Sequence, residues 1–136
     1  MQSINSVFLI DDEPMFNLIN QKILQITKFT DNVYCYVDAS TALNELKQIV
    51  YSTPINFPGI IFLDINMPGM DGWEFLDEFD KFDIDIKKNC KVYMLTSSID
   101  PLDIGKSNNY EVIHDFISKP LSIEKLSALG QHRLNF

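Results

Sequence analysis

Two rhythms of apolar and polar positions alternate along this chain. Val7 to Ile10, Ile60 to Leu63 and Val92 to Leu95 are apolar at every position, as in strands buried on both faces. Between Val33 and Asp38, Val33, Cys35 and Val37 alternate with Tyr34, Tyr36 and Asp38, which suits a strand near a sheet edge. A last strand is expected near Asp115 to Ser118.

Between these runs the apolar residues recur at helical spacing. Pro14 opens a helix with an apolar face of Met15, Ile19, Ile23 and Ile26, running to Lys28. Ser40 or Thr41 caps a second, whose face is Ala42, Leu43, Leu46, Ile49 and Val50. Trp73, Phe75, Leu76, Phe79 and Phe82 give a third an aromatic face to lay on a sheet. Asp100-Pro101 opens a fourth, kept short and weak by Gly105 and Asn108-Asn109. Ser122 caps the last, which passes through Leu126 and Leu129 to about Arg133. Tyr51 to Pro58 and Asp83 to Asn89 are expected to be connections.

Five strands alternating with five helices predict an α/β fold: a doubly wound, flavodoxin-like parallel sheet covered on both faces through right-handed crossovers. The continuous runs belong in the middle and the Val33 strand at an edge. A 2-1-3-4-5 order satisfies this, with its switch point between the first and third strands. A single domain over residues 1–136, with its core at about 5–133, is expected, because no internal repeat or second unit stands out.

Composition adds exclusions. Hydrophobic residues at 46% and charged residues at 22% are globular proportions. The net charge of −8 argues against a nucleic-acid surface, which needs clustered Lys and Arg. No apolar run approaches the roughly 20 residues of a membrane span, and Met-Gln-Ser-Ile-Asn-Ser lacks the regions of a signal peptide. A cytoplasmic protein without membrane contact is therefore the expectation. Cys35 and Cys90 lack metal or redox spacing and are read as free, buried residues. His114 and His132 have no partner at ligand spacing and are assigned to surface or packing.

Chemistry concentrates where the strands end. Asp11-Asp12-Glu13 follows the first run, Asp64 the third, Thr96-Ser97-Ser98 the fourth and Lys119-Pro120 the fifth. In the predicted sheet these ends share one rim, so Asp11, Asp12, Asp64, Thr96 and Lys119 should converge. Simpler roles exist for each: Asp12 as a helix N-cap, Thr96 as a strand-end cap, Lys119 as a solvated charge. Capping needs one carboxylate, however, and here two are adjacent. At ~4 Å and an effective dielectric near 20, each carboxylate pair costs about 4 kcal/mol before relaxation. Such a cluster favours a divalent cation, and all-oxygen donors suit Mg²⁺. Lys119 adds a positive charge and Thr96 a hydroxyl donor, groups that stabilise a phosphoryl group in transfer. An ionised Asp64 is then a candidate nucleophile.

The set Val-Phe-Leu-Ile-Asp11-Asp12-Glu13-Pro14, Leu63-Asp64-Ile-Asn66-Met67-Pro68-Gly-Met70-Asp71-Gly72, Leu95-Thr96-Ser97-Ser98 and Phe116-Ile-Ser-Lys119-Pro120 resembles the receiver domain of two-component response regulators, in a short form similar to the chemotaxis regulator CheY. The resemblance covers nearly the whole chain. It implies that Asp64 accepts a phosphoryl group from a histidine kinase or histidine phosphotransfer protein, with Asp12 and Asp64 holding Mg²⁺ directly, Asp11 through water and Asn66 through its backbone carbonyl. It implies that Lys119 meets the phosphoryl oxygen and that Thr96 swings toward it. Phe116 then fills the vacated space as the switch aromatic, where the family often has Tyr. Switching would reshape the face made by the Asp100 to Asn109 helix, the last strand and the last helix, for a downstream protein target.

Three rival expectations remain. A haloacid-dehalogenase-like Mg²⁺ phosphatase also uses a strand-end Asp, but wants a second Asp where Asn66 stands. A flavin binder needs a phosphate loop where Asp11-Asp12-Glu13 would repel phosphate. The third is a receiver cut from a longer regulator. The favoured expectation is a stand-alone regulator, monomeric or weakly dimeric, that catalyses nothing beyond its own phosphorylation and dephosphorylation.

Overall fold

The computed structural model describes residues 5–134, with side chains described as far as Leu129; His132 lies outside the described side chains. Five strands form one parallel sheet: β1 (Val7–Ile10), β2 (Val33–Tyr36), β3 (Ile60–Asp64), β4 (Lys91–Thr96) and β5 (Ile113–Ser118), in the order β2-β1-β3-β4-β5. The helices are α1 (Pro14–Ile26), α2 (Ala39–Ser52), α3 (Gly72–Phe79), α4 (Ile84–Lys87), α5 (Pro101–Ser107) and α6 (Ile123–Leu134). The predicted order and direction of the sheet hold.

The unbroken apolar runs are explained by two cores, one on each face of the sheet. Phe8, Ile10, Ile61 and Leu63 meet Ala42, Leu46, Phe75 and Phe79 of α2 and α3. Val7, Leu9, Ile60 and Phe62 meet Leu24 of α1 and Leu126 and Leu129 of α6. Successive strand residues thus serve opposite layers, and the charged and hydroxyl-bearing residues of the central strands β3 and β4, apart from Tyr93, stand at the strand ends, at Asp64, Lys91 and Thr96.

The structure departs from the sequence expectations in five places. The segment 83–89 is not wholly irregular: Asp83 accepts the Asp85 N–H and caps the single turn α4, which makes six α-helices among the described residues rather than five. A 3₁₀ turn (Pro54–Asn56) similarly interrupts the connection after α2. The α2 cap is Asp38, whose carboxylate takes the Thr41 N–H and Oγ1–H, rather than Ser40 or Thr41. Cys35 is exposed although its thiol faces Asn17 and Gln21 of α1, because β2 is the outer strand of the sheet; Cys90 is buried as expected.

The fifth departure concerns α1. Met15 and Ile26 of its predicted apolar face are 65% and 69% exposed, and the buried residues are Asn17, Asn20 and Leu24. Hydrogen bonding outweighs hydrophobic periodicity here. Asn17 Nδ2 donates to the carbonyls of Asp11 and Tyr36, stapling the ends of β1 and β2 together. Asn20 Oδ1 accepts the Leu121 N–H. These contacts fix which stripe of α1 faces the sheet.

The weak helix α5 is as expected: Asp100 caps it through the Leu102 N–H, and it buries no residue. Ser122 Oγ caps α6 through the Lys125 N–H.

Candidate phosphoacceptor site

Four of the five strands each deliver one functional group to the same rim. Asp11 follows β1 directly, Asp64 is the last residue of β3, Thr96 the last of β4, and Lys119 the first after β5. The ladder carries past the strand ends, because the Lys119 N–H donates to the Thr96 carbonyl at 2.8 Å and the Ile65 N–H to the Leu95 carbonyl at 3.3 Å. That continuation brings Lys119 alongside the acidic residues.

Lys119 Nζ lies 2.9 Å from Asp11 Oδ2 and 3.1 Å from Asp64 Oδ1, and all three side chains are at most 5% exposed. The Phe16 ring of α1 sits 4.8 Å from the same ammonium. Asp11, Asp12 and Asp64 can each bring one oxygen within 4.8 Å of the others. Asp12 is half-buried, at the mouth of the cluster.

Asp12 is not a helix cap. Glu13 occupies the cap position of α1 without a side-chain bond, and Asp11 Oδ1 accepts the Glu13 N–H at 3.0 Å. Asp11 Oδ2 is buried with no hydrogen-bond partner, so its contact with Lys119 is an ion pair only.

Electrostatics follow from this crowding. Burial first, and the neighbouring Asp11 charge second, push the Asp64 carboxyl up to about 6 against the opposing pull of Lys119. For Lys119, burial works against the charged form, but the two carboxylates outweigh it and hold the ammonium above its usual range. One positive charge shared among three carboxylates leaves the cluster net negative. All-oxygen donors, one buried oxygen lacking a hydrogen bond and excess negative charge fit a hard divalent cation such as Mg²⁺.

The remaining predicted residues lie around this centre. Thr96 is buried, and its hydroxyl donates to the Ser98 carbonyl at 2.8 Å while accepting the Ser98 N–H at 3.2 Å, so it is engaged with its own loop. Phe116 is half-buried, pairs with Met94 in the sheet and shares a strand face with Ser118, the partner of Thr96. It also lines a surface hollow beside α5 together with Ile99, Ile104 and Tyr110. The Asn66 side chain is exposed in the loop after β3. His114 is exposed and packs edge-to-face on Tyr93.

The loop from Asp64 to α3 turns at Gly69, whose φ of +74° favours glycine. It closes at Gly72, whose N–H donates to the Ile65 carbonyl. A Cβ on Gly72 would stand 2.8 Å from the Asp64 carbonyl oxygen, so only glycine fits beside the end of β3. Asp71 and Glu74 then form a reciprocal capping box that starts α3.

Sequence reasoning missed Asn17, Asn20, Phe16 and Lys125, which hold the rim together. For Asn17 and Asn20 a signal was present at positions 17, 20 and 24: a helical stripe carrying two amides beside a leucine, passed over for the more apolar stripe next to it.

Comparison with known proteins identifies the family and the fold. The response regulator receiver domain family matches residues 7–130. The C4-dicarboxylate transport transcriptional regulatory protein DctD of Rhizobium meliloti is 29% identical over 93% of this chain. The probable C4-dicarboxylate response regulator DctR of Halalkalibacterium halodurans is 29% identical over 90%. The chain spans only 24% and 48% of those two proteins' lengths. A two-component response regulator from Cytophaga hutchinsonii superposes with a TM-score of 0.88 at 33% identity, covering 99% of this chain and 100% of that one.

Proposed function

The chain belongs to the response regulator receiver domain family, and from that premise we propose that it is a phosphoacceptor switch, with Asp64 taking a phosphoryl group from a phosphohistidine. The observation that carries this is the position of Lys119 Nζ, within 3.1 Å of both Asp11 and Asp64 at a rim that also holds Asp12.

An Asp64 carboxylate oxygen attacks the phosphorus as the P–N bond of the donor breaks. The electron pair returns to the imidazole nitrogen, which takes a proton from solvent, so that the donor histidine leaves as neutral imidazole. Lys119 supplies positive charge where the phosphoryl oxygens gather negative charge, from a fixed position and with little water nearby. Asp11, Asp12 and Asp64, with the Asn66 backbone carbonyl, would hold Mg²⁺, which when bound neutralises phosphoryl charge. Thr96 exchanges its bond to Ser98 for one to the phosphoryl group. Phe116 moves into the space released, and the face of α5, β5 and α6 changes shape for a downstream protein.

α5 is suited to such a change because it buries no side chain and therefore rearranges at low cost. Among the described residues no helix is long and apolar enough to cross a membrane.

The direct test offers the protein a histidine kinase labelled on its phosphohistidine. Label should pass to this chain and become alkali-labile, as an acyl phosphate is. Label that never leaves the kinase, across a panel of histidine kinases and phosphotransfer proteins, would remove the proposal.

A further inference from the structure

We propose that Asn20 and Lys125 are positioning residues for Lys119, gripping the backbone on either side of it so that its ammonium stays between Asp11 and Asp64. The geometry is independent of the phosphoacceptor reading; the consequence for phosphorylation rests on it.

Asn20 lies on α1, 101 positions away in sequence from Leu121, whose N–H its Oδ1 accepts at 3.0 Å. The residue is 0% exposed, and its Nδ2 has no hydrogen-bond partner. A buried amide donor without a partner is costly. Leu24, one turn on along α1, lies in the apolar core with Leu121 and Leu126, and an aliphatic side chain in place of the amide would leave the buried Leu121 N–H without its acceptor. What the amide does achieve is to fix the chain two residues beyond Lys119.

Lys125 completes the grip from α6. Its Nζ donates to the Ser118 carbonyl at 2.7 Å, to Ser118 Oγ at 3.2 Å and to the Pro120 carbonyl at 2.9 Å. These carbonyls belong to the residues on either side of Lys119, whose own N–H is tied to Thr96. The backbone from Ser118 to Leu121 is thus held from β4, α1 and α6 at once. α1 contributes twice, since Phe16, one turn before Asn20, lies against the Lys119 ammonium. Small misplacements of a charged group in such a site cost rates heavily.

The test uses Asn20→Leu and Lys125→Met in the full chain. In the metal-free protein, the Lys119 Cε–Hε NMR signal should move toward the values of exposed lysines in both variants, and the Leu121 amide should exchange faster in Asn20→Leu. With saturating Mg²⁺ and acetyl phosphate, Asp64 labelling should slow about tenfold in both variants. A Lys119 signal unmoved in both variants, or in Lys125→Met alone should Asn20→Leu not fold, overturns the proposal. A wild-type chain that takes no phosphoryl group refutes the phosphoacceptor reading, and the Lys119 signal then still decides the grip.

Discussion

Lys119 Nζ stands 2.9 Å from Asp11 Oδ2, in a pair that is 5% and 0% exposed. Removing one member of so deeply buried a pair leaves the other charged, unpaired and dry. Lys119→Met should therefore destabilise the metal-free protein by about 3 kcal/mol. Mg²⁺ should return part of the loss, since a cation beside Asp11 replaces the missing charge. Thermal melts with and without millimolar Mg²⁺ measure both effects. Equal melting temperatures for the variant and the parent would show that the pair is not formed in solution.

Asp64 gives stability a pH dependence of definite sign. Its carboxyl titrates near 6 in the fold, against about 3.9 in an unfolded chain. Between these values the folded state binds more protons than the unfolded one, so this group's stabilisation is full below about pH 4 and is lost as pH rises through about 6. Urea denaturation of the metal-free protein should show that decline. Asp64→Asn should flatten it and should be more stable than the parent at pH 7 by about 1–2 kcal/mol. Stability that climbs between pH 4 and 6 by the same amount in both proteins would contradict the assignment.

Gly72 has no room for a side chain, because a Cβ would meet the Asp64 carbonyl oxygen at 2.8 Å and Ile65 Cα at 3.1 Å. Both obstacles are backbone, which cannot rotate away. Gly72→Ala should cost about 1–3 kcal/mol and slow phosphorylation of Asp64 by shifting the end of β3. Gly105→Ala, which meets nothing within 4 Å, is the control and should do neither. Identical behaviour of the two variants in denaturation and labelling would count against the packing.

Tyr110 ties the α5 side of the sheet to α3. Its hydroxyl donates to Asp77 Oδ1 at 2.7 Å, its ring lies 5.6 Å from Trp73, and Lys106 Nζ stands 5.0 Å from the Trp73 ring. Tyr110→Phe removes the hydrogen bond alone, at a cost of about 1 kcal/mol. It should speed amide exchange through Pro101–Ser107. Trp73 is the chain's single tryptophan, so its fluorescence should change on phosphorylation and change differently in this variant. An α5 whose exchange is untouched would mean that the bond does not restrain the helix.

How much of this the sequence disclosed depends on the kind of interaction. The sheet was legible because Val7–Ile10, Ile60–Leu63 and Val92–Leu95 are buried on both faces, and that demand is written into every residue. The rim followed from topology: once the strand order is known, Asp11, Asp64, Thr96 and Lys119 must share an edge. The orientation of α1 was hidden, because Asn17 and Asn20 face the sheet to bond backbone groups whose positions only the fold defines. The exposure of Cys35 was hidden for a related reason, since alternation along β2 does not say how far α1 covers the edge of the sheet. The α2 cap was assigned to Ser40 or Thr41 rather than Asp38 because all three are capping residues, and backbone dihedral angles decide among them.

One experiment bears most directly on the central claim, that the crowded carboxylates and Lys119 make Asp64 a phosphate acceptor. The protein is incubated with acetyl phosphate and Mg²⁺, and its intact mass is followed by site mapping. The account predicts one added phosphoryl group, on Asp64, released by hydroxylamine, dependent on Mg²⁺ and absent from Asp64→Asn. An unchanged mass, or a label that persists when Asp64 is replaced, would contradict it.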